Sequence, residues 1–225
     1  MPLSANNLKE IAYTEMKKQI LNGDLEPGVV YSERKFCTDL GVSRTPFHSA
    51  LQQLEQEGYL DILPSRGFTL HRLTASEIEQ TYEVRSAIEF YCYYRMMEDA
   101  HGDDAARRKS AEKQIRKLER SIADQRSIME SSHDIPEFLE VDYQFHEDAI
   151  GYLRNPTFDR DLNSITHNIR GLASSSLEHE GRMEKTVEEH QAILDAIKDG
   201  KTEALLAAAM RHFRVPKDIN LQDVR

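Results

Sequence analysis

Apolar positions in residues 6–22 fall at Leu8, Ile11, Ala12, Met16, Ile20 and Leu21, the spacing of a helix that turns one face to a core. "NGDLEPG" follows and breaks the pattern, so this first helix ends near Leu21. "SERKFCTDLG" opens with Ser32 as an N-cap and closes on Gly41, giving a short second helix with Phe36, Cys37 and Leu40 inward. Ser43 caps a third helix, which Gly58 ends. Its inner face is Phe47, Ala50, Leu51 and Leu54 at i, i+3, i+4 and i+7. "YLDIL" and "GFTLHRL" then read as two short strands around "PSRG", a hairpin turning at Pro64 to Gly67.

After Leu73 the strand signal stops. Helices are predicted over 76–99, 104–131, 135–153, 157–179, 183–199 and 202–214, separated by "HGDD", "SSHDIP", "LRNP", "EHEG" and "KDGK". The tail from Pro216 onward is expected to be loosely held. The fold class is therefore mainly α. Residues 1–73 form a winged helix-turn-helix with a small β-hairpin, and residues 74–225 form an all-α helical bundle. The length of 225 residues suits two domains, each with its own core.

Composition narrows the setting. The chain is 39% hydrophobic and 30% charged, as expected of a soluble protein. It has no apolar run near the roughly 20 residues of a membrane helix, and "MPLSANNLKE" lacks a secretion signal, so a cytoplasmic location without a membrane partner is expected. Cys37 and Cys92 are the only cysteines and form no C-x-x-C pair, which argues for reduced thiols rather than a disulfide framework or a cysteine zinc cluster. The net charge of −10 is unevenly placed: residues 1–73 hold eight basic and nine acidic groups, so the acidity belongs to the second domain. A nearly neutral first domain can still attract phosphate where its basic groups cluster, because attraction is local on the scale of a Debye length.

The third helix leaves Ser43, Arg44, Thr45, His48, Ser49 and Gln52 facing solvent near its N-terminal end. A helix that enters the major groove presents that end to base edges. Arg44 suits the O6 and N7 of guanine, Ser43 and Thr45 suit phosphate oxygens, and Arg66 with Gly67 would let the wing approach the backbone. A solvated face or a protein-binding module would show the same periodicity.

In the second domain, polar groups interrupt apolar stripes. Asp142 and His146 share a face with Phe138, Phe145 and Ala149; His190 lies among Val187, Ile193, Leu194 and Ile197; His212 lies with Leu205, Ala208 and Ala209. Buried polar groups need partners. For any one histidine a hydrogen-bonded core position is the ordinary explanation. For the set of four, a shared divalent metal ion, Zn, Ni, Mn or Fe, is the alternative.

"ILNGDLEPG", "SERKFCTDLGVSRTPFHSALQQLEQEGYLDI" and "PSRGF" resemble the N-terminal domain of GntR-family bacterial transcription regulators over nearly all of residues 8–70. The resemblance implies that Arg34, Ser43, Arg44, Thr45, Arg66 and Gly67 face a double-stranded DNA operator. This chain departs from the family at His48-Ser49, where members commonly have Arg-Glu. His48 is shorter than arginine and lacks its fixed charge, so an altered base preference or weaker phosphate attraction is expected there. "VDYQFHEDAI", "LRNP", "EEHQAILDAIKDGK" and "AAAMRHF" resemble the ligand-binding FCD domain of the FadR subfamily. In its metal-containing members an Asp-x-x-x-His pair and two later histidines hold a divalent metal, places that Asp142, His146, His190 and His212 fill. "TYEVRSAIE" resembles the first helix of that domain, where Arg85 shares a face with Ile78, Tyr82 and Ile88 and would meet either an effector carboxylate or a neighbouring Glu. The resemblance implies a homodimeric, metal-dependent regulator of transcription that answers to a small carboxylate effector, and not an enzyme. Two other readings stay open: a hydrolase-like enzyme with a metal-activated water, and a constitutive repressor whose metal is purely structural.

Overall fold

A computed structural model of the chain describes residues 5–21, 23–26 and 28–224. Asn22 and Pro27 of the expected first breaker, and the first four residues of the supposed signal-free N-terminus, lie outside them. The chain divides into two compact units, Met1–Leu73 and Thr74–Arg225.

The first unit holds α1 (Ala5–Leu21), α2 (Glu33–Leu40), α3 (Arg44–Gln56), β1 (Leu60–Leu63) and β2 (Gly67–Leu70). Its core joins Ala12 and Met16 of α1 to Phe47, Ala50, Leu51 and Leu54 of α3 and to Leu60 and Phe68 of the hairpin. Phe36, Phe47, Phe68 and Tyr31 meet as an aromatic cluster with centroid separations of 5.4–6.5 Å, which fixes α2 and the hairpin against α3. Ile11 and Leu21 share the helical spacing but are about half exposed, so the core-facing stripe of α1 is narrower than its sequence pattern. The strands pair antiparallel from Leu60↔Leu70 to Leu63↔Gly67. Tyr31 adds a bridge to Phe68 through two backbone hydrogen bonds, Tyr31 N–H to Phe68 O at 2.8 Å and Phe68 N–H to Tyr31 O at 3.0 Å.

The second unit is helical throughout the described residues: α4 (Ala75–His101), α5 (Ala105–Ser131), α6 (Ile135–Ile150), α7 (Pro156–Asn163), α8 (Thr166–Leu177), α9 (Arg182–Asp199) and α10 (Thr202–Asp223), with a single 3₁₀ turn at Gly151–Leu153. Caps set the boundaries. Thr74 and Glu77 form a reciprocal capping box on α4, Asp104 accepts from the N–H groups of Ala106 and Arg107, and Asp134 accepts from that of Glu137. The buried faces of α4, α5 and α6 pack against one another.

Three boundaries differ from the sequence expectation. The helix expected over 135–153 tightens into the 3₁₀ turn, and Arg154 follows in the left-handed region at φ 49°. The helix expected over 157–179 is two helices, since the Ile165 backbone leaves helical geometry with φ −116° and ψ 6°. The tail after Pro216 is not loose: α10 continues to Asp223, and Asn220 is buried. Its Nδ2 donates to Pro216 O at 2.7 Å, Leu172 O at 3.0 Å and Tyr82 Oη at 3.4 Å, which ties the last two turns to α8 and α4. Proline cannot donate the usual N–H to residue 212, but this anchoring carries the helix past it.

Candidate metal centre and nucleic-acid interface

Asp142 and His146 are one turn apart on α6, His190 is at the middle of α9, and His212 is on α10; all four are buried. The structure brings the three histidines together, with Asp142 beside two of them. Ring centroids of the three imidazoles lie 4.6–5.1 Å apart, and each ring offers a nitrogen within 4.8 Å of the others. Asp142 closes the group, with Oδ1 3.7 Å from His190 Nε2 and Oδ2 4.0 Å from His146 Nε2.

The orientation of the rings is set from behind. His146 Nδ1 lies 2.7 Å from Glu89 Oε2, His190 Nδ1 lies 2.8 Å from Gln125 Oε1, and His212 Nδ1 lies 3.2 Å from Glu189 Oε2. Each partner is an acceptor, so each Nδ1 carries the proton and each Nε2 presents a bare lone pair. Phe145 stacks on His190 at 4.0 Å and 16°, which fixes that ring further. The Nε2 atoms of all three histidines and Oδ1 of Asp142 are buried without a hydrogen-bond partner. Four such acceptors stranded side by side would be costly in a finished core, because each forgoes its water and gains nothing in exchange. A divalent cation would answer all four at once. Neutral imidazole with one carboxylate suits Zn²⁺ and its first-row neighbours, and the carboxylate- or amide-held Nδ1 is the usual outer support of such a ligand.

The electrostatics agree. Burial, followed by the charge of the neighbouring imidazoles, holds His190 well below the ordinary histidine range. Burial likewise lowers His212, against the opposing pull of Glu189. Both are neutral near pH 7, the form a metal needs. Burial disfavours the Glu89 carboxylate, but the Arg85 guanidinium and the His146 ring outweigh it and keep Glu89 ionised. Glu189 is held below its usual value in the same way, burial being overcome by its bonds from His212 and Arg182.

Arg85 donates its Nε–H to Glu89 Oε1 at 2.7 Å, and Tyr93 Oη donates to Glu89 Oε2 at 3.2 Å. Arg85 therefore meets a neighbouring Glu, and it also borders a cavity of about 20 Å³ together with Tyr82, Asp142, Arg182 and His212. On the other side, an open groove of about 430 Å³ reaches Glu89 and His146 between α6, α7 and α8. Sequence reasoning missed Glu89, Gln125, Glu189 and Arg182. The signal was the same as for the histidines: Gln125 interrupts the α5 stripe of Leu118, Ile122 and Ile128, and Glu89 follows Arg85 by one turn.

In the first unit, α3 begins at Arg44, and Ser43 occupies the N-cap without a side-chain cap bond. Ser43, Arg44, Thr45, Arg34 and Arg66 are exposed. Glu33, nearly covered on α2, lies 3.9 Å from Arg44 Nε and 3.4 Å from His48 Nδ1, so one carboxylate sits beneath both basic side chains. The backbone N–H groups opening α3 and these side chains form a face suited to a phosphate backbone. Gly67 is buried, unlike the other residues expected at DNA. It adopts φ 121°, and a Cβ there would lie 1.9 Å from Tyr31 O, so its place in the wing demands glycine whatever the wing touches. Cys37 and Cys92 are both free thiols, the second fully buried.

Comparison with known proteins adds two domain matches. Residues 8–70 match the model for bacterial regulatory proteins of the gntR family, and residues 80–215 match the FCD domain. An uncharacterized HTH-type transcriptional regulator of Bacillus subtilis, YdhC, is 24% identical over 89% of this chain and 85% of its own length. The HTH-type transcriptional repressor RspR of Escherichia coli is 22% identical over 90% and 84%. Among solved structures, a putative GntR transcriptional regulator from Rhodococcus sp. RHA1 superposes with a TM-score of 0.74 at 19% identity, covering 96% of this chain and 99% of that one. No described helix is long and apolar enough to cross a membrane.

Proposed function

Since this chain belongs to the gntR family of bacterial regulatory proteins and carries an FCD domain, we propose that it is a transcriptional regulator controlled by a small carboxylate bound beside a divalent metal. The ion is held by Asp142, His146, His190 and His212. The observation that carries this reading is the set of four buried acceptor atoms from three helices, each without a hydrogen-bond partner, with the three imidazoles gathered within 4.8 Å and Asp142 beside two of them. When bound, the cation supplies a fixed positive charge and open coordination positions for an anionic oxygen. Arg85 lines the adjoining cavity, and the groove on the other flank is within the size range of small-molecule sites.

In this reading Ser43, Arg44, Thr45 and His48 enter a major groove while Arg34 and Arg66 hold phosphates, with Gly67 keeping the wing low. A homodimer places two α3 helices on successive half-sites, so the operator is a short imperfect palindrome. Such a protein works in the cytoplasm, where the chromosome is. The effector moves the DNA equilibrium only through a difference in its affinity for the DNA-free and DNA-bound states.

The test is fluorescence anisotropy on a duplex selected from a random pool, with protein stripped of metal, reloaded with Zn²⁺, and reloaded in the presence of a panel of small mono- and dicarboxylates. The reading expects at least one acid to change DNA affinity by about 5–150-fold, and only in loaded protein. A fold that melts on chelation, with DNA affinity indifferent to every acid, would instead leave a constitutive regulator with a structural metal.

A further inference from the structure

Glu33 is the first residue of α2, but its carboxylate faces α3. Oε2 lies 3.9 Å from Arg44 Nε and Oε1 lies 3.4 Å from His48 Nδ1, two residues one turn apart at the start of α3. The Glu33 side chain is 12% exposed, against 81% for Arg44 and 43% for His48, so the anion sits beneath two side chains that reach outward. In each case it approaches the nitrogen nearer the backbone. The atoms left for a ligand are the outer Nη1 and Nη2 of Arg44 and Nε2 of His48.

An anion at this place works against bare affinity for DNA. It repels the phosphates of any duplex that comes within a Debye length of about 8–10 Å. Of its two neighbours only Arg44 carries a fixed charge, since residue 48 is histidine. The start of α3 therefore sets one fixed cation against one carboxylate, and its sequence-blind attraction to phosphate is small. Base edges carry the sequence information. A guanidinium fork reads guanine only when its plane is aimed, and a carboxylate on the Nε side biases that plane.

We propose that Glu33 is a positioning residue that sets operator specificity: it aims Arg44 and His48 at base edges and withholds the phosphate attraction that would let α3 settle on any duplex. The inference rests on the DNA-binding reading above and goes beyond it, because Glu33 acts without touching DNA. Specificity is a difference of affinities, and a built-in repulsion against the wrong sites enlarges it. The role has a signature that a merely structural one lacks. Removing the charge strengthens binding to unrelated DNA while it weakens discrimination.

The experiment uses full-length protein and fluorescence anisotropy at one salt concentration. The duplexes are an operator selected from a random pool, that operator with each guanine exchanged in turn, and a scrambled sequence. Glu33→Gln keeps the size and removes the charge; it binds the scrambled duplex about 1.5- to fivefold more tightly, the worth of one exposed charge pair. It also loses at least about fivefold of discrimination at the guanine that Arg44 reads, the low end of a bidentate contact. Selection repeated with this variant returns a broader consensus. Glu33→Asp keeps the charge and shortens the reach, so its affinity for the scrambled duplex stays that of wild type while discrimination falls. Should Glu33→Gln not fold, the aspartate variant still decides: full discrimination in it would overturn the aiming role. Equal weakening of operator and scrambled binding in Glu33→Gln, or no change in either, would overturn the proposal and leave the DNA-binding reading intact. A wild type that selects no sequence from the pool would overturn both.

Discussion

Replacing Glu89 with Gln removes one charge and almost no volume, which makes it a sensitive probe of the support behind the candidate metal centre. The carboxylate is 1% exposed and accepts from Arg85 Nε at 2.7 Å, His146 Nδ1 at 2.7 Å and Tyr93 Oη at 3.2 Å. An amide has one acceptor and one donor end. Whichever way it is turned, an N–H meets either the Arg85 donor or those of His146 and Tyr93. Arg85 also loses the counter-charge that makes its burial tolerable, and a buried pair broken on one side costs about 3–5 kcal/mol. Against a usual total of about 5–15 kcal/mol, the variant should stay mostly folded at 25 °C and unfold at lower urea. His146 either faces the amide N–H and loses the acceptor that fixes its tautomer, or keeps a neutral and weaker one, so Zn²⁺ affinity should fall about 10–100-fold. Urea denaturation followed by circular dichroism gives the first quantity, and chelator competition gives the second. A variant within about 1 kcal/mol of wild type, the centre of ordinary single-site effects, that also binds Zn²⁺ undiminished would refute the view that Glu89 is held ionised by Arg85 to orient His146.

Other consequences are quick to check. Gly67→Ala would set a Cβ against Tyr31 O and break the bridge to Phe68, costing the N-terminal unit about 2–5 kcal/mol from backbone strain and lost hydrogen bonds; thermal melting should show it, and an unchanged melting temperature would contradict the close approach. His48→Arg should tighten operator binding and steepen its salt dependence by about one phosphate contact, and if anisotropy finds neither affinity nor sequence preference altered, residue 48 makes no contact. Acid should destabilise metal-free protein in two stages. His190 and His212 have lowered values in the folded state, so their contribution is present above the unfolded histidine value of about 6.5 and is lost as pH falls below it. Glu89 and Glu189 are also lowered, so their contribution is present above about 4.3 and disappears as pH falls through their folded values. Denaturant midpoints that stay flat from pH 7 to 5 would contradict the first stage.

The sequence displayed the candidate metal ligands because each of them breaks an apolar stripe: Asp142 and His146 lie one turn apart beside Phe145, and His190 precedes Ile193 and Leu194. It did not display convergence, which depends on how α6, α9 and α10 cross, nor the acceptors behind the rings. Gln125 is far from His190 in sequence, and Glu189 looks like one more surface acid beside Glu188 until α9 is packed. Helix ends marked by caps such as Thr74 and Asp134 were readable. The break at Ile165 was not, because "SITHN" contains neither proline nor glycine. Pro216 misled in the opposite direction, since its local preference to stop a helix is overridden by the distant anchors of Asn220.

The most direct measurement is the metal content of full-length protein, by elemental analysis after loading and desalting, for wild type beside Asp142→Ala, His190→Ala and His212→Ala, each shown to be folded by circular dichroism. If the stranded acceptors share one cation, wild type retains about one ion per chain, and each variant, with one protein ligand fewer, retains far less. Variants that load as fully as wild type would mean that these side chains do not hold the metal, and the account of a metal-centred regulator would fail with them.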